Sequence, residues 1–202
     1  LLINAFTDYL PNLILVVFLI YGIFKVRNRT WWKFFLLSHI PLLIFGLLWL
    51  PYFTKQIELG LSVRSGGSMW WSVLGRTDLK SILLVPVKFI FGRISFYNKT
   101  FYFTLSAFVL SVYSLIVYKG LNRKLLFNKF YLLTVLWFLL PLLLSALMGL
   151  TISVFSYFRL IFCLPSLLMI LALSILSLDK KHQKIALILV SLVSVFSSLY
   201  YL

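Results

Sequence analysis

Apolar residues run in long blocks along this chain and do not alternate with polar ones. Five blocks reach or approach the roughly 20 residues that a membrane-spanning helix needs. They cover 10–24 with its upstream apolar residues, 34–53, 101–118, 130–150 and 159–178; a sixth, 185–202, ends with the chain. Stretches such as Leu13-Ile14-Leu15-Val16-Val17-Phe18-Leu19-Ile20 have no period of two. A transmembrane barrel would show one. Pro41, Pro141 and Pro165 fall inside blocks, and membrane helices tolerate proline by kinking while neighbours re-satisfy the freed carbonyl. The expected fold class is therefore all-α: a polytopic transmembrane helical bundle of about six spanning helices plus an outer interfacial helix. Residues 1–202 are expected to form a single transmembrane region, with an outer-face loop over 55–100. The chain begins at Leu1 and closes on Tyr200-Tyr201-Leu202, both in apolar sequence, so it reads as a middle or C-terminal fragment of a longer membrane enzyme.

The links between blocks set the expected orientation. Lys25, Arg27, Arg29 and Lys33 crowd one, Lys119, Arg123, Lys124 and Lys129 a second, and Lys180, Lys181 and Lys184 a third. Short links rich in Lys and Arg stay on the cytoplasmic side. The stretch 55–100 and the link 151–158 then lie outside. The segment 82–94 tests this order: it is apolar but short, and holds Pro86, Lys88 and Arg93. As a span it would turn two of the basic links outward, and each charge at mid-bilayer would cost about 2.5–3.5 kcal/mol. It is expected on the outer surface, as an interfacial or re-entrant helix.

Composition sharpens the class. The 202 residues are 62% hydrophobic and 11% charged, with a mean hydropathy of +1.06. That excludes a soluble globular domain, because a particle of this size cannot hide so much apolar surface. Nineteen Lys and Arg against four Asp and Glu give a formal charge of +15. The cations lie between apolar blocks and form no continuous basic face, so they read as topology signal and headgroup contact, with no nucleic-acid partner. The first segment lacks the basic start and small-residue cleavage site of a signal peptide.

Soluble catalytic motifs are absent. There is no phosphate-binding glycine loop, no His/Cys metal spacing and no Ser/His/Asp set. His39 reads as an interior residue, His182 as solvated, Asp8 as a helix cap and Cys163 as apolar packing. Asn98-Lys99-Thr100 matches a glycosylation sequon. Three features stand out. Lys55, Gln56 and Glu58 follow the apolar run Trp49-Leu50-Pro51-Tyr52-Phe53 at its outer end. A basic set occupies the outer loop: Arg64, Arg76, Lys80, Lys88, Arg93 and Lys99. Ser156-Tyr157-Phe158-Arg159 opens a helix and continues as Leu160-Ile161-Phe162-Cys163-Leu164-Pro165. An isolated arginine at that level either snorkels to lipid phosphate or grips the phosphate of a lipid-linked substrate with its planar fork.

The run of aromatic-Leu-Pro-aromatic-aromatic leading to Gln56, the Trp70-Trp71 loop and the segment ending Phe91-Gly92-Arg93 resemble the middle of bacterial GT-C superfamily glycosyltransferases. The branch is the one similar to protein O-mannosyltransferases and aminoarabinose transferases. Tyr157-Phe158-Arg159-Leu160 with Leu164-Pro165 is similar to their late helix, with Leu160 where Tyr is usual. The resemblance covers roughly 36–178. It implies a multi-pass enzyme of the bacterial cell (inner) membrane. Such an enzyme moves a sugar from a polyprenyl-phosphate-linked donor to a glycan, lipid or protein acceptor on the outer face. Arg159, Tyr157, Lys55, Gln56, Glu58, Arg76 and Arg93 are then the expected substrate-binding residues. The acidic pair expected in the first outer loop of such enzymes is missing: Asp8, Glu58, Asp78 and Asp179 are isolated, and the catalytic base is expected upstream. No cofactor is evident. Glu58 and Asp78, as two separated carboxylates, are a weak basis for Mg²⁺ or Mn²⁺ and leave metal dependence open.

Two other classes fit part of the pattern. A polysaccharide polymerase, ligase or flippase of the envelope would share the helices, the basic outer loop and a lipid-phosphate substrate. A transporter would place polar residues near the bilayer midplane on broken helices, where this chain has only His39 and scattered Ser and Thr.

Overall fold

The computed structural model describes residues 10–23, 28–65, 77–92, 98–152 and 155–201, and every regular element among them is helical. A 3-10 turn at Leu10–Leu13 leads into α1 (Ile14–Ile23). Then come α2 (Arg29–Ser65), α3 (Leu79–Phe91) and α4 (Lys99–Gly120). After a single turn at Arg123–Leu126 follow α5 (Lys129–Met148), a 3-10 turn at Ile161–Cys163, α6 (Leu164–Leu176) and α7 (Lys180–Tyr201). Each of the six apolar blocks thus contains a helix among the described residues. Four helices among the described residues are long and apolar enough to cross a membrane: Arg29–Leu59 within α2, Lys99–Gly120, Lys129–Met148 and Lys180–Leu199. Leu10–Ile23 and Ile161–Leu176 are apolar but shorter.

Asparagines start several of these helices. Asn98 Oδ1 accepts from the amides of Thr100 (3.0 Å) and Phe101 (3.2 Å), so the sequon asparagine is the N-cap of α4. Asn28 accepts from Trp31 N, Asn122 from Leu125 N and Asn128 from Phe130 N. Each satisfies a donor that the first helical turn leaves without an intrahelical partner. At the other end of α3, Gly92 takes φ 70° and its amide bonds the Lys88 carbonyl at 2.8 Å. That left-handed stop is open to glycine without a Cβ penalty.

Much of the apolar surface faces outward. Leu43, Leu47 and Leu48 on α2, Phe108 and Leu115 on α4, Leu143 and Leu147 on α5, and Ile188, Leu192 and Leu199 on α7 are all exposed. Contiguous exposed apolar faces of this extent mark a lipid-facing surface. The chain is a multi-pass membrane protein. Along α5 the buried positions Tyr131, Thr134, Phe138, Leu142, Ser145 and Ala146 form one stripe at helical spacing, while Leu139, Leu143 and Leu147 face out.

The chain divides into two compact units, one of residues 1–78 and 139–162, the other of residues 79–138 and 163–202. In the first, α1 meets α2 through glycine: a Cβ on Gly22 would come within 2.8 Å of the Trp31 ring and 2.9 Å of Trp32. Trp31 stacks on Phe35 at 5.1 Å. His39 lies 4.2 Å from the Phe35 ring and donates from Nδ1 to the Phe35 carbonyl at 2.6 Å. Its Nδ1 is satisfied within its own helix. The polar stretch after Phe53 stays helical to Ser65, making α2 37 residues long. At 1.5 Å per residue that is about 55 Å, well beyond a hydrocarbon core of about 30 Å.

In the second unit α4 packs along α6, and α7 lies against α6 and α3. Val87 and Phe91 of α3, Val109, Tyr113 and Ile116 of α4, Leu171 and Ile175 of α6, and Ala186 of α7 form its core. α3 crosses its neighbours. The Lys80 ammonium sits 4.8 Å from the Phe103 ring, four residues into α4. At the other end of α3, Ser197, four residues before the end of α7, donates to the Phe91 carbonyl at 3.0 Å. α4 and α7 are antiparallel, with Lys119 and His182 meeting at their opposite ends. Both ends of α3 therefore touch the same level of the pair.

Asp179 caps α7. Its carboxylate accepts from the His182 amide at 3.4 Å and from the His182 ring. The hydrogen bond from the His182 side chain, reinforced by the backbone one, holds the Asp179 carboxyl below its ordinary range. The ionised form is the favoured one, so its contribution is whole above pH 4 and vanishes as pH falls through the lowered value. Hydrogen exchange of the first-turn amides of α7, expressed as protection factors, should be flat from pH 7 to about 5 and fall below about pH 4. Asp179→Asn, also a good cap, should abolish that dependence. Protection unchanged in the wild type at pH 3 would contradict it.

Candidate functional site

The first unit carries an apolar cavity of about 500 Å³. α2 forms most of its wall through Leu42, Phe45, Gly46, Trp49 and Phe53, with Asn12 and Leu15 from the α1 region and Met148 from the end of α5. Leu43, Leu47 and Leu50 line it too and are exposed, so the space is an open groove along more than one face of α2. Phe45, Trp49 and Tyr52 form a ring ladder, with centroids 5.7 and 5.0 Å apart. The one polar lining residue is Asn12, whose Oδ1 is buried without a hydrogen-bond partner among the described residues. An unpaired amide oxygen in an apolar wall is costly, and a ligand hydroxyl or N–H would relieve it.

Gln56 shares a face of α2 with Phe53, one turn further on. Lys55, Gln56 and Glu58 are all exposed. They stand beyond the cavity, and none is in its lining. Lys55 and Glu58 make no salt bridge among the described residues.

A second candidate is the turn between α5 and α6, none of whose residues lines that cavity. Phe155 is 2% exposed and Leu160 0%. These two anchors fix the turn between them, and the Leu160 amide bonds the carbonyls of Ser156 and Tyr157 at 3.2 Å. Tyr157 and Arg159 are held half-buried, with Phe158 exposed. Leu160, the position where the resembled family usually carries Tyr, is thus an anchor and lies deeper than either candidate ligand. No salt bridge among the described residues engages Arg159. Thr77 reaches this end of the unit as well: its hydroxyl is in contact with the space a Cβ on Gly149 would fill, with Phe155 Cβ 2.8 Å from that point.

The expected substrate-binding residues therefore fall in three places. Lys55, Gln56 and Glu58 share the end of α2, Tyr157 and Arg159 share the anchored turn, and both groups belong to the first unit. Arg76 and Arg93 lie outside the described residues. Among the described residues no three His, Cys, Asp or Glu side chains gather as a metal would require. Two features escaped the sequence: the cavity, and Asn12 in its wall. The signal for Asn12 was a polar residue just after Pro11 at the mouth of an apolar block. Comparison with known protein families, curated proteins and solved structures finds no match to this chain.

Proposed function

We propose that this protein is a membrane glycosyltransferase that takes a sugar from a polyprenyl-phosphate-linked donor on the outer face of the cell membrane of a bacterium. The reading rests on the resemblance of the Trp49–Gln56 and Tyr157–Pro165 segments to GT-C enzymes. The observation that carries it furthest is the pairing, within one unit, of an apolar cavity of about 500 Å³ with a rigidly anchored, half-buried Arg159. An isoprenoid chain needs the first, and a phosphate leaving group needs a cation such as the second.

The chemistry is a displacement at the anomeric carbon. The acceptor hydroxyl oxygen forms the new bond to C1, the C1–O bond to phosphate breaks, and polyprenyl phosphate leaves with the electron pair. A carboxylate base takes the hydroxyl proton. Arg159 would stabilise the charge that grows on the phosphate oxygens. The crossing course of α3 supports its placement flat on the outer surface, which keeps Lys88 out of the hydrocarbon. Two experiments test the reading. In cells lacking the protein, one polyprenyl-phosphate sugar should accumulate several-fold, and an unchanged lipid-linked sugar pool would count against it. In intact cells, cysteines at Ser62 and Thr151 should react with an impermeant thiol label, while those at Asn28, Asn122 and Gln183 should stay shielded. Labelling at Asn122 together with Ser62 would mean that α3 spans.

A further inference from the structure

The opposite end of the second unit holds a separate feature that sugar transfer does not use. A slot of about 170 Å³ opens between the end of α4 and the start of α7. Its walls are apolar: Val112, Leu115 and Ile116 from α4, and Ile185, Ala186 and Leu189 from α7. Its two polar lining residues are Lys119 and His182. Both are exposed, so the slot has an aliphatic floor and a cationic lip.

The surroundings make the lip strongly positive. Lys180, Lys181 and Lys184 follow on the first turn and a half of α7 and are exposed. Asp179, in the link between α6 and α7, is the only acidic residue in the sequence of the second unit. It is already engaged by the His182 amide and Nδ1. With Nδ1 donating to Asp179, His182 Nε2 can donate to an anion only in the protonated ring, whose charge then offsets that of the Asp179 carboxylate. The Gly120 carbonyl at the α4 end is taken by the Ser177 hydroxyl, so the helix terminus does not require Lys119 for its hydrogen bonding.

We propose that this slot is a binding site for one anionic phospholipid, its phosphate on Lys119 and His182 and the start of an acyl chain between α4 and α7. An aliphatic cleft rimmed by cations at a helix end matches the two halves of such a lipid. The basic links on either side place this end on the cytoplasmic side, where anionic lipids supply the negative surface potential. A phosphatidylcholine molecule would fit the floor but gain nothing from the lip. A free phosphate would meet the lip but leave the floor empty.

The test is thermal unfolding and native mass spectrometry of the whole protein in neutral detergent. The probes are phosphatidylglycerol, phosphatidylcholine of the same chains, and inorganic phosphate. Phosphatidylglycerol should stay bound through detergent removal and raise the melting temperature by several degrees over phosphatidylcholine. Lys119→Gln with His182→Gln should erase that difference, whereas Lys181→Gln with Lys184→Gln, which removes at least as much charge outside the slot, should retain most of it. Leu115→Trp, filling the slot from an exposed position, should weaken retention without removing charge. The proposal is overturned if phosphatidylcholine stabilises equally, if inorganic phosphate reproduces the whole shift, or if the two double variants lose retention alike. The second result would make it a free-anion site and the third a diffuse basic surface.

Discussion

Arg159→Ala should lower sugar transfer at least tenfold, equivalent to about 1.4 kcal/mol of transition-state stabilisation, while leaving expression and unfolding temperature unchanged. The second half of that expectation comes from where the turn gets its rigidity. Phe155 and Leu160 bury their side chains almost completely and the Leu160 amide closes the turn, so removing a half-buried guanidinium between them does not loosen the frame. The first half comes from the cost of leaving a cation there without purpose. Arg159 forms no salt bridge among the described residues, and an arginine at the level of the headgroups keeps its charge by meeting water, lipid phosphate or a ligand. Arg159→Lys should recover only part of the rate, because an ammonium presents a point charge where the guanidinium offers a planar pair of donors. A snorkelling anchor would behave otherwise: lysine would serve as well as arginine, and alanine would transfer sugar at the wild-type rate.

Gly120→Ala should destabilise the second unit by about 1–3 kcal/mol, the range for forcing extra carbon into a packed contact. A Cβ on Gly120 would lie 2.8 Å from both the carbonyl carbon and the Cα of Ser174 on α6. Those are backbone atoms, so the strain cannot be relieved by turning a side chain, and α4 and α6 must separate. Small residues at such crossings are what allow membrane helices to approach closely, and Ser174 itself is fully buried beside the contact. Gly46→Ala is the matched comparison: a Cβ there meets nothing within 4 Å, and alanine is the better helix former. Denaturation in detergent should show the Gly120 variant unfolding well before the wild type and the Gly46 variant unfolding with it. Equal stability of the two variants would mean that α4 and α6 are not in the close contact described.

The helical blocks were legible because hydrocarbon leaves the backbone few other ways to satisfy itself. The short, charged character of α3 was legible too, and Gly92 marked its end. The polar residues after Phe53 were harder to read. Lys55, Gln56, Ile57, Glu58 and Leu59 are acceptable or good helix formers, so polarity there marks the end of the apolar zone and not the end of α2. The faces by which the helices pack were not legible. In a helix apolar all round, the hydrophobic periodicity that identifies a buried face disappears. The buried stripe of α5 is distinguished by the size of Thr134, Ser145 and Ala146 more than by their polarity. At the candidate site the sequence singled out Arg159 and the end of α2, because isolated charges stand out in an apolar text. The cavity wall did not stand out, since Leu42, Phe45 and Trp49 look like any lipid-facing residues until another helix is placed opposite them.

The central claim is tested most directly by reconstituting the protein into lipid vesicles with a mixture of polyprenyl-phosphate-linked sugars and envelope acceptors, and measuring free polyprenyl phosphate by mass spectrometry. The account predicts that one lipid-linked sugar is consumed with matching release of polyprenyl phosphate, and that Arg159→Ala vesicles release at least tenfold less. If intact lipid-linked sugars instead cross to the other leaflet or become joined to one another with no dependence on Arg159, the protein is a flippase or polymerase and the transferase account is wrong.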